Sequence, residues 1–277
     1  MITPPAMTTP HWVNDLPPQP GVYRFHGAEG ELLYIGKSIN IRQRVKSHFQ
    51  SCQRSSRARR MCQLADHIDY TLTAGELGAL LLENREIKQR QPIFNRRQRR
   101  YKQLHTWILN ASDTAFLAPV LHRPARESLW NQDSYGLYRS PRQARLALEH
   151  WIKQYRLCPK VCGLESGSGP CFSFQLGRCQ GACCGKESPD SHNRRLKQAL
   201  HEHQIQAWPY KDTLVIRECG ATEDDYHLVH QWCHLATLNH APGEEDLHPR
   251  HDVCFDLDSY RMLLHFLNRG IEHFVMP

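Results

Sequence analysis

The chain has 277 residues, 40% of them apolar, with 11 cysteines and a net charge of +7. That length fits one large domain or two to three small ones, and the apolar share is enough to bury a core. No stretch approaches the roughly 18 consecutive apolar residues of a membrane span, which argues against a helical membrane protein. The start, Met1 to Pro10, is rich in Pro and Thr and lacks the basic and apolar stretches of a secretory signal. Residues 1–15 are expected to be a disordered lead-in, and the protein to be cytoplasmic.

Leu16-Pro-Pro-Gln-Pro-Gly21 is a punctuated entry to the first element. Val22 to Phe25 reads as a strand, Gly27 to Gly30 as a turn and Leu32 to Ile35 as the returning strand, so a β-hairpin ends at Gly36. Ser38 is placed to cap a helix running to about Phe49. Ile41, Val45 and Phe49 share one face of it, and Arg44 and His48 another. Ile68 to Thr73 reads as a third strand. Glu76 to about Arg90 has the clearest helical period, with Leu77, Leu80, Leu81, Asn84 and Ile87 in one stripe, and Pro92 stops it. Glu83 falls at the stripe edge, half-buried toward a cleft. Glu86 falls opposite and is expected to face water.

Farther on, His105 to Ala111 reads as a strand and Arg142 to Arg156 as a helix. Arg194 to Ala207 reads as a helix, Thr213 to Arg217 as a strand and Asp224 to Leu235 as a helix. Asp256 and Asp258 are expected to be solvated acids near a strand end, with a catalytic role as the alternative.

The charge is clustered. Between Leu32 and Ala65 no acid interrupts Lys37, Arg42, Arg44, Lys46, Arg54, Arg57, Arg59 and Arg60. A second cluster comprises Lys88, Arg90, Arg96, Arg97, Arg99, Arg100 and Lys102. A field of one sign attracts a polyanion, which gains from counterion release. Solvated surfaces more often interleave both signs, so nucleic acid is the expected partner.

Tyr23 and Tyr34 sit on paired strands and can project to one face. Roughly one phenol in a thousand is ionised at neutral pH, and Lys37 and Arg44 are placed to favour the phenolate. Tyr34 can then act as general base on a water. Glu83 can hold one Mg²⁺ or Mn²⁺ that keeps most of its waters. Gly36, Arg42, Lys46 and His48 line the same region as candidate substrate-binding residues. His48 has a plain surface role as its alternative. Gly36-Lys37-Ser38 ends like a phosphate-binding loop, but Glu31 stands where that motif needs Gly, and an apolar strand replaces the Gly-rich loop.

Gly21-Val22-Tyr23 and Tyr34-Ile35-Gly36, with Arg44, Glu83 and Asn95 following in order, resemble the GIY-YIG nucleases. Leu16-Pro-Pro-Gln-Pro-Gly-Val-Tyr23, Tyr34-Ile-Gly-Lys37, Glu83 to Asn95 and Pro170 to Cys183 narrow the resemblance to the UvrC family of excinucleases. The chain is too short for that family's second nuclease domain, and in this it is similar to the short Cho homologues. The resemblance implies catalytic roles for Tyr23, Tyr34, Lys37, Arg44 and Asn95, with Asn95 positioning the phosphate or the loop that carries it. It implies a single incision 3′ of a lesion in nucleotide excision repair, on damaged double-stranded DNA loaded by UvrA and UvrB. A monomer suffices for one cut. The alternatives are a silent module binding DNA and repair partners, and a sequence-specific GIY-YIG nuclease.

Six of the cysteines lie between Cys158 and Cys184. In a chain without an export signal they suggest metal binding, with buried free thiols as the alternative. The resemblance places Cys171, Cys179 and Cys183 as ligands with Cys158 as the fourth, Cys162 competing for that place and Cys184 spare. Four thiolates can hold Zn²⁺ or an iron–sulfur cluster, and the resemblance implies [4Fe–4S].

The expected fold class is α+β. A GIY-YIG domain at residues 16–100, a short antiparallel sheet with flanking helices, precedes a small α/β connector at 101–157. A Cys-rich segment at 158–190 and a C-terminal α/β region at 191–277 follow.

Overall fold

The computed structural model describes residues 9–51, 55–95, 103–111, 114–124, 133–247 and 254–276. Arg54, Arg96, Arg97, Arg99, Arg100 and Lys102, counted in the basic clusters, lie outside the described residues, as does most of the Met1 to Pro10 lead-in. The chain forms two compact units. One comprises Met1–Arg100 together with Tyr210–Pro277, and the other Tyr101–Pro209.

The first unit opens earlier than expected. His11–Asp15 forms a 3-10 helix with Val13 buried, and Trp12 stacks edge-on against Phe49, so the apolar residues of this segment tie it to the core. Strands β1 (Gly21–His26) and β2 (Leu32–Ser38) pair antiparallel as the predicted hairpin. Helix α1 (Ile41–Ser51) buries Ile41, Val45 and Phe49. Its cap is Asn40 rather than Ser38: the Asn40 side chain accepts the Gln43 N–H at 3.0 Å, while Ser38 continues β2 and bonds to Asn40. Helix α2 (Ser56–Leu64) follows, capped by Ser55. Strand β3 (His67–Leu72) pairs with the other side of β1, giving the order β2-β1-β3.

Helix α3 (Glu76–Arg90) ends at Gln91, which takes a left-handed conformation before Pro92. Leu77, Leu81, Asn84 and Ile87 are buried as the stripe predicted. Glu86 departs from expectation: it does not face water but pairs with the guanidinium of Arg24, itself 6% exposed on β1. Arg24 also bonds Asp69 at 2.7 Å and Thr71 at 3.1 Å, so a buried cation is neutralised from two elements.

The second unit carries β4 (His105–Ala111), β5 (Leu117–His122) and β6 (Tyr135–Tyr138) in the antiparallel order β5-β4-β6. Helix α4 (Pro141–Gln154) starts with Ser140 as cap and Pro141 in its first turn. A four-residue helix, α5 (Phe172–Gln175), lies in the Cys-rich segment. Helix α6 (Pro189–His201) begins well before Arg194 and stops before Ala207, because Ser188-Pro189 supplies a cap and first turn. Its Leu196, Ala199 and Leu200 share one core with Trp107, Leu148 and Trp151. Residues 101–157, 158–190 and the first part of 191–277 thus form one body rather than consecutive segments.

From Tyr210 the chain rejoins the first unit. Strands β7 (Thr213–Glu218), β8 (Asp225–His230) and β9 (Cys233–Leu238), helix α7 (Leu257–Asn268) and strand β10 (His273–Met276) complete it. The sheet is antiparallel in the order β10-β7-β8-β9. The helix predicted over Asp224–Leu235 is instead a hairpin turning at Gln231 and Trp232. Asp256 caps α7 by accepting the Ser259 N–H at 3.0 Å, so it is no solvated strand-end acid. Among the described residues no helix is long and apolar enough to cross a membrane.

Candidate active site

Both glycines of the hairpin motif are set by close approach. A Cβ on Gly21 would lie 2.2 Å from the backbone oxygen of Thr71, where β1 meets β3. A Cβ on Gly36 would lie 2.4 Å from the Tyr23 hydroxyl and 2.7 Å from the Tyr34 ring. Tyr23 pairs with Gly36 and Phe25 with Tyr34 across the hairpin, which places both tyrosines on one face with ring centroids 6.2 Å apart. Gly36, expected to touch substrate, leaves the space these rings occupy.

Tyr23 is fully buried, and its hydroxyl lies 2.7 Å from His48 Nε2. Burial and the neighbouring Arg44 hold the His48 imidazole at a pKa of about 4, so it is neutral near pH 7 and shares a hydrogen bond with the Tyr23 hydroxyl. His48 is therefore not a plain surface histidine. It stacks edge-on with Tyr23, Phe25 and Tyr34.

Arg44, one turn before His48 on α1, brings its positive charge to both phenols and lowers the pKa of each. Burial nevertheless dominates and pushes both up, Tyr23 well above its ordinary value. The cation effect expected from the sequence is present but outweighed. Lys37 contributes differently from expectation: its ammonium pairs with Glu76 at 2.5 Å, and its backbone N–H donates to Glu83 at 3.0 Å.

Glu83 is half-buried on α3, close enough to Tyr34 for its charge to raise that phenol. One carboxylate beside two phenols suits a hard ion that retains most of its waters. Asn95 is buried, and both ends of its amide are committed to the backbone of Ile35, at 2.9 and 2.8 Å. It pins the strand carrying Tyr34, and these bonds offer the phosphate nothing directly. Arg42 donates to the Leu16 carbonyl at 2.6 Å, while Lys46 is exposed on a different face of α1 from Arg44.

Comparison with known proteins follows this layout. Residues 19–96 match the UvrC-like GIY-YIG domain, 106–202 the UvrC/Cho excinuclease middle domain and 213–277 the excinuclease Cho C-terminal domain. Excinuclease Cho of Escherichia coli (strain K12) is 38% identical over 257 residues, covering 91% of this chain and 83% of that one. The chain belongs to the excinuclease Cho family. Excinuclease Cho of Salmonella typhimurium is 35% identical over 266 residues, covering 94% of this chain and 86% of the relative. UvrABC system protein C of Neisseria meningitidis is 30% identical over 203 residues, 71% of this chain and 31% of that protein. The magnesium-bound GIY-YIG N-terminal endonuclease domain of UvrC from Thermotoga maritima is 26% identical. It covers 32% of this chain and 100% of that one, with a TM-score of 0.29.

As a Cho-family excinuclease the protein is a nuclease, and its phosphodiester chemistry belongs to the GIY-YIG domain just described. A second cluster lies in the middle domain. Cys158, Cys171 and Cys183 present sulfurs within 4.8 Å of one another, and Cys179 packs into the same small core. The Cys183 sulfur accepts the Cys171 N–H, and the Cys179 sulfur the Gly181 N–H, each at 3.3 Å. Cys162 packs into the neighbouring core with Leu148 and Trp151, its thiol pushed up to about 12 by burial, so Cys158 is the better-placed fourth member. Cys184 donates to the Gly181 carbonyl at 3.3 Å. Three converging thiols with a fourth in the same small core, two of the four already accepting N–H groups, suit a thiolate-bound centre.

The sequence reading missed Glu76, the partner of Lys37, and the buried Arg24–Glu86 pair. Neither has a local signal, since each partner comes from a distant element.

Proposed function

We propose that this protein is a divalent-metal-dependent DNA endonuclease of nucleotide excision repair. It nicks once, on the 3′ side of a lesion, in DNA loaded by UvrA and UvrB. The observation that supports this reading best is the meeting of Tyr23, Tyr34, Arg44, His48 and Glu83 at one face of the β2-β1-β3 sheet. The damaged duplex would lie along the basic surface of α1 and α2.

Tyr34 takes the proton from the attacking water. Its raised pKa makes the phenolate scarcer but more basic. Neutral His48 shares a hydrogen bond with Tyr23 and so fixes that hydroxyl. Arg44 binds the phosphate, and Lys46, on another face of α1, the flanking backbone. Glu83 would hold one Mg²⁺ or Mn²⁺, which would supply positive charge for the negative charge that builds up at the scissile phosphate. Asn95 keeps β2 in register so that Tyr34 stays in place. Cys158, Cys171, Cys179 and Cys183 would hold an iron–sulfur cluster, [4Fe–4S], with Zn²⁺ as the alternative to be separated by metal analysis.

The deciding experiment is incision of a lesion-containing duplex with UvrA, UvrB, ATP and Mg²⁺. The wild type should give one nick 3′ of the lesion and Glu83→Ala none. Absence of a nick with wild-type protein would count against the catalytic reading.

A further inference from the structure

The Cho C-terminal domain has no chemistry of its own in the scheme above, yet it grips the helix that carries Glu83 at two places. At the helix start Gly75 offers no side-chain cap. The Glu218 carboxylate from the end of β7 takes that place, accepting the N–H groups of Leu77 at 2.7 Å and Gly78 at 2.8 Å. Glu218 is buried and lies 3.3 Å from His227 Nε2; Asp225 accepts the Ala74 N–H at 2.8 Å. Burial alone would raise the Glu218 pKa, but the bonds from His227, Gly78 and Leu77 hold it below its ordinary value. A carboxylate here also opposes the positive end of the helix dipole. Gly78 permits the approach, since a Cβ there would come within 3.0 Å of Asp225.

The second grip lies beside Glu83 itself. Asn84 is 3% exposed and donates to Asp256 at 2.6 Å and to Ser259 at 3.0 Å. One turn on, Lys88 pairs with Asp256 and, at 2.9 Å, with Asp258. The C-terminal domain thus fixes both the axial position and the rotation of α3. On the other side of the helix, Glu83 meets the Lys37 N–H at 3.0 Å. A small rotation of α3 would carry the carboxylate away from the tyrosine face.

We infer that the C-terminal domain is a positioning device for the metal-binding carboxylate, with Glu218 and Asp256 as its positioning residues. The inference rests on the reading of Glu83 as the metal ligand. Loosening either grip should weaken the metal site by about tenfold, as loss of an outer-shell partner does elsewhere, and leave DNA binding unchanged.

The test titrates Mn²⁺ into the full-length protein without DNA, following free Mn²⁺ by electron paramagnetic resonance, with Glu83→Ala as reference. Nicking is measured in parallel against Mg²⁺ concentration. Asp256→Ala is the direct variant, and Asp256→Asn and Glu218→Gln are milder ones that keep shape if the first fails to fold. The expected result is loss of one Mn²⁺ site in Glu83→Ala and about tenfold weaker occupancy of that site in the positioning variants. The Mg²⁺ concentration for half-maximal nicking should rise in step. Merely structural damage would lower the active fraction without moving either midpoint, and folded variants with wild-type midpoints would overturn the inference. If Glu83→Ala binds Mn²⁺ as the wild type does, the ligand reading itself falls, and the inference with it.

Discussion

Tyr34 and His48 carry opposite shifts for one reason: burial penalises charge, so the phenol is driven up and the imidazole down. If Tyr34 is the base, nicking should rise with pH from 7 to 9 by nearly tenfold per unit, with no plateau, because the phenol titrates above its ordinary value of about 10. Tyr34→Phe should lose about 10²–10⁴-fold in single-turnover rate and keep DNA affinity. A level profile over that range would remove the phenolate. His48 makes a separate prediction for stability. Its unfolded pKa is 6.5 and its folded pKa about 4, so between those values the unfolded chain binds more protons. Stability is fully present above pH 6.5 and falls as pH drops toward 4, by up to about 3 kcal/mol from this group. Denaturant unfolding of the wild type and His48→Gln at pH 7 and pH 4.5 should show a smaller acid loss in the variant.

At the level of the element, the hairpin stands or falls with Gly36. Gly36→Ala would press a methyl into the Tyr23 and Tyr34 rings, an overpacking expected to cost about 1–3 kcal/mol. Urea midpoints should fall accordingly and nicking should fall with them, since the displaced rings are those of the site. The β1–β2 hairpin and α3 were legible because their patterns are local: a two-residue alternation with Gly turns, and an apolar stripe stopped by Pro92. The β8–β9 hairpin was not. Its turn places Gln231 and Trp232 at φ 47° and 61°, where a sequence normally signals with Gly or Asn. Trp232 tolerates this because its ring is buried and packs edge-on against Tyr260, 5.0 Å away, a contact local sequence cannot reveal. Glu86 and Asp256 were misread for a similar reason: each is neutralised by a cation remote in sequence, Arg24 and Lys88. At the site, the identities of the motif residues were readable. The use of Lys37 on Glu76 and of Asn95 on the Ile35 backbone was not, because it depends on distances between elements.

For the whole molecule, the division into two compact units predicts separable stabilities. A thiolate-bound centre on Cys158, Cys171, Cys179 and Cys183 would support only the middle unit. Chelation, or Cys171→Ser, should therefore lower that unit's melting by at least about 4–8 °C, the shift for 1 kcal/mol in a small domain. The His48-linked acid transition of the other unit should stay where it was. Calorimetry before and after metal removal reads both at once.

The nuclease unit is also discontinuous along the chain, and this has a consequence during synthesis. Asn84 and Asp256 are 172 residues apart. At roughly 5–20 residues per second, a ribosome makes the second about 10–30 s after the first. For most of that interval the Glu83 helix lacks the Glu218 cap, and for all of it the Asp256 contact to Asn84. The first unit is thus completed only after the intervening middle unit has been made. If these anchors set the Glu83 site, a nascent chain held among nucleic acids would stay unarmed until Asp256 arrives.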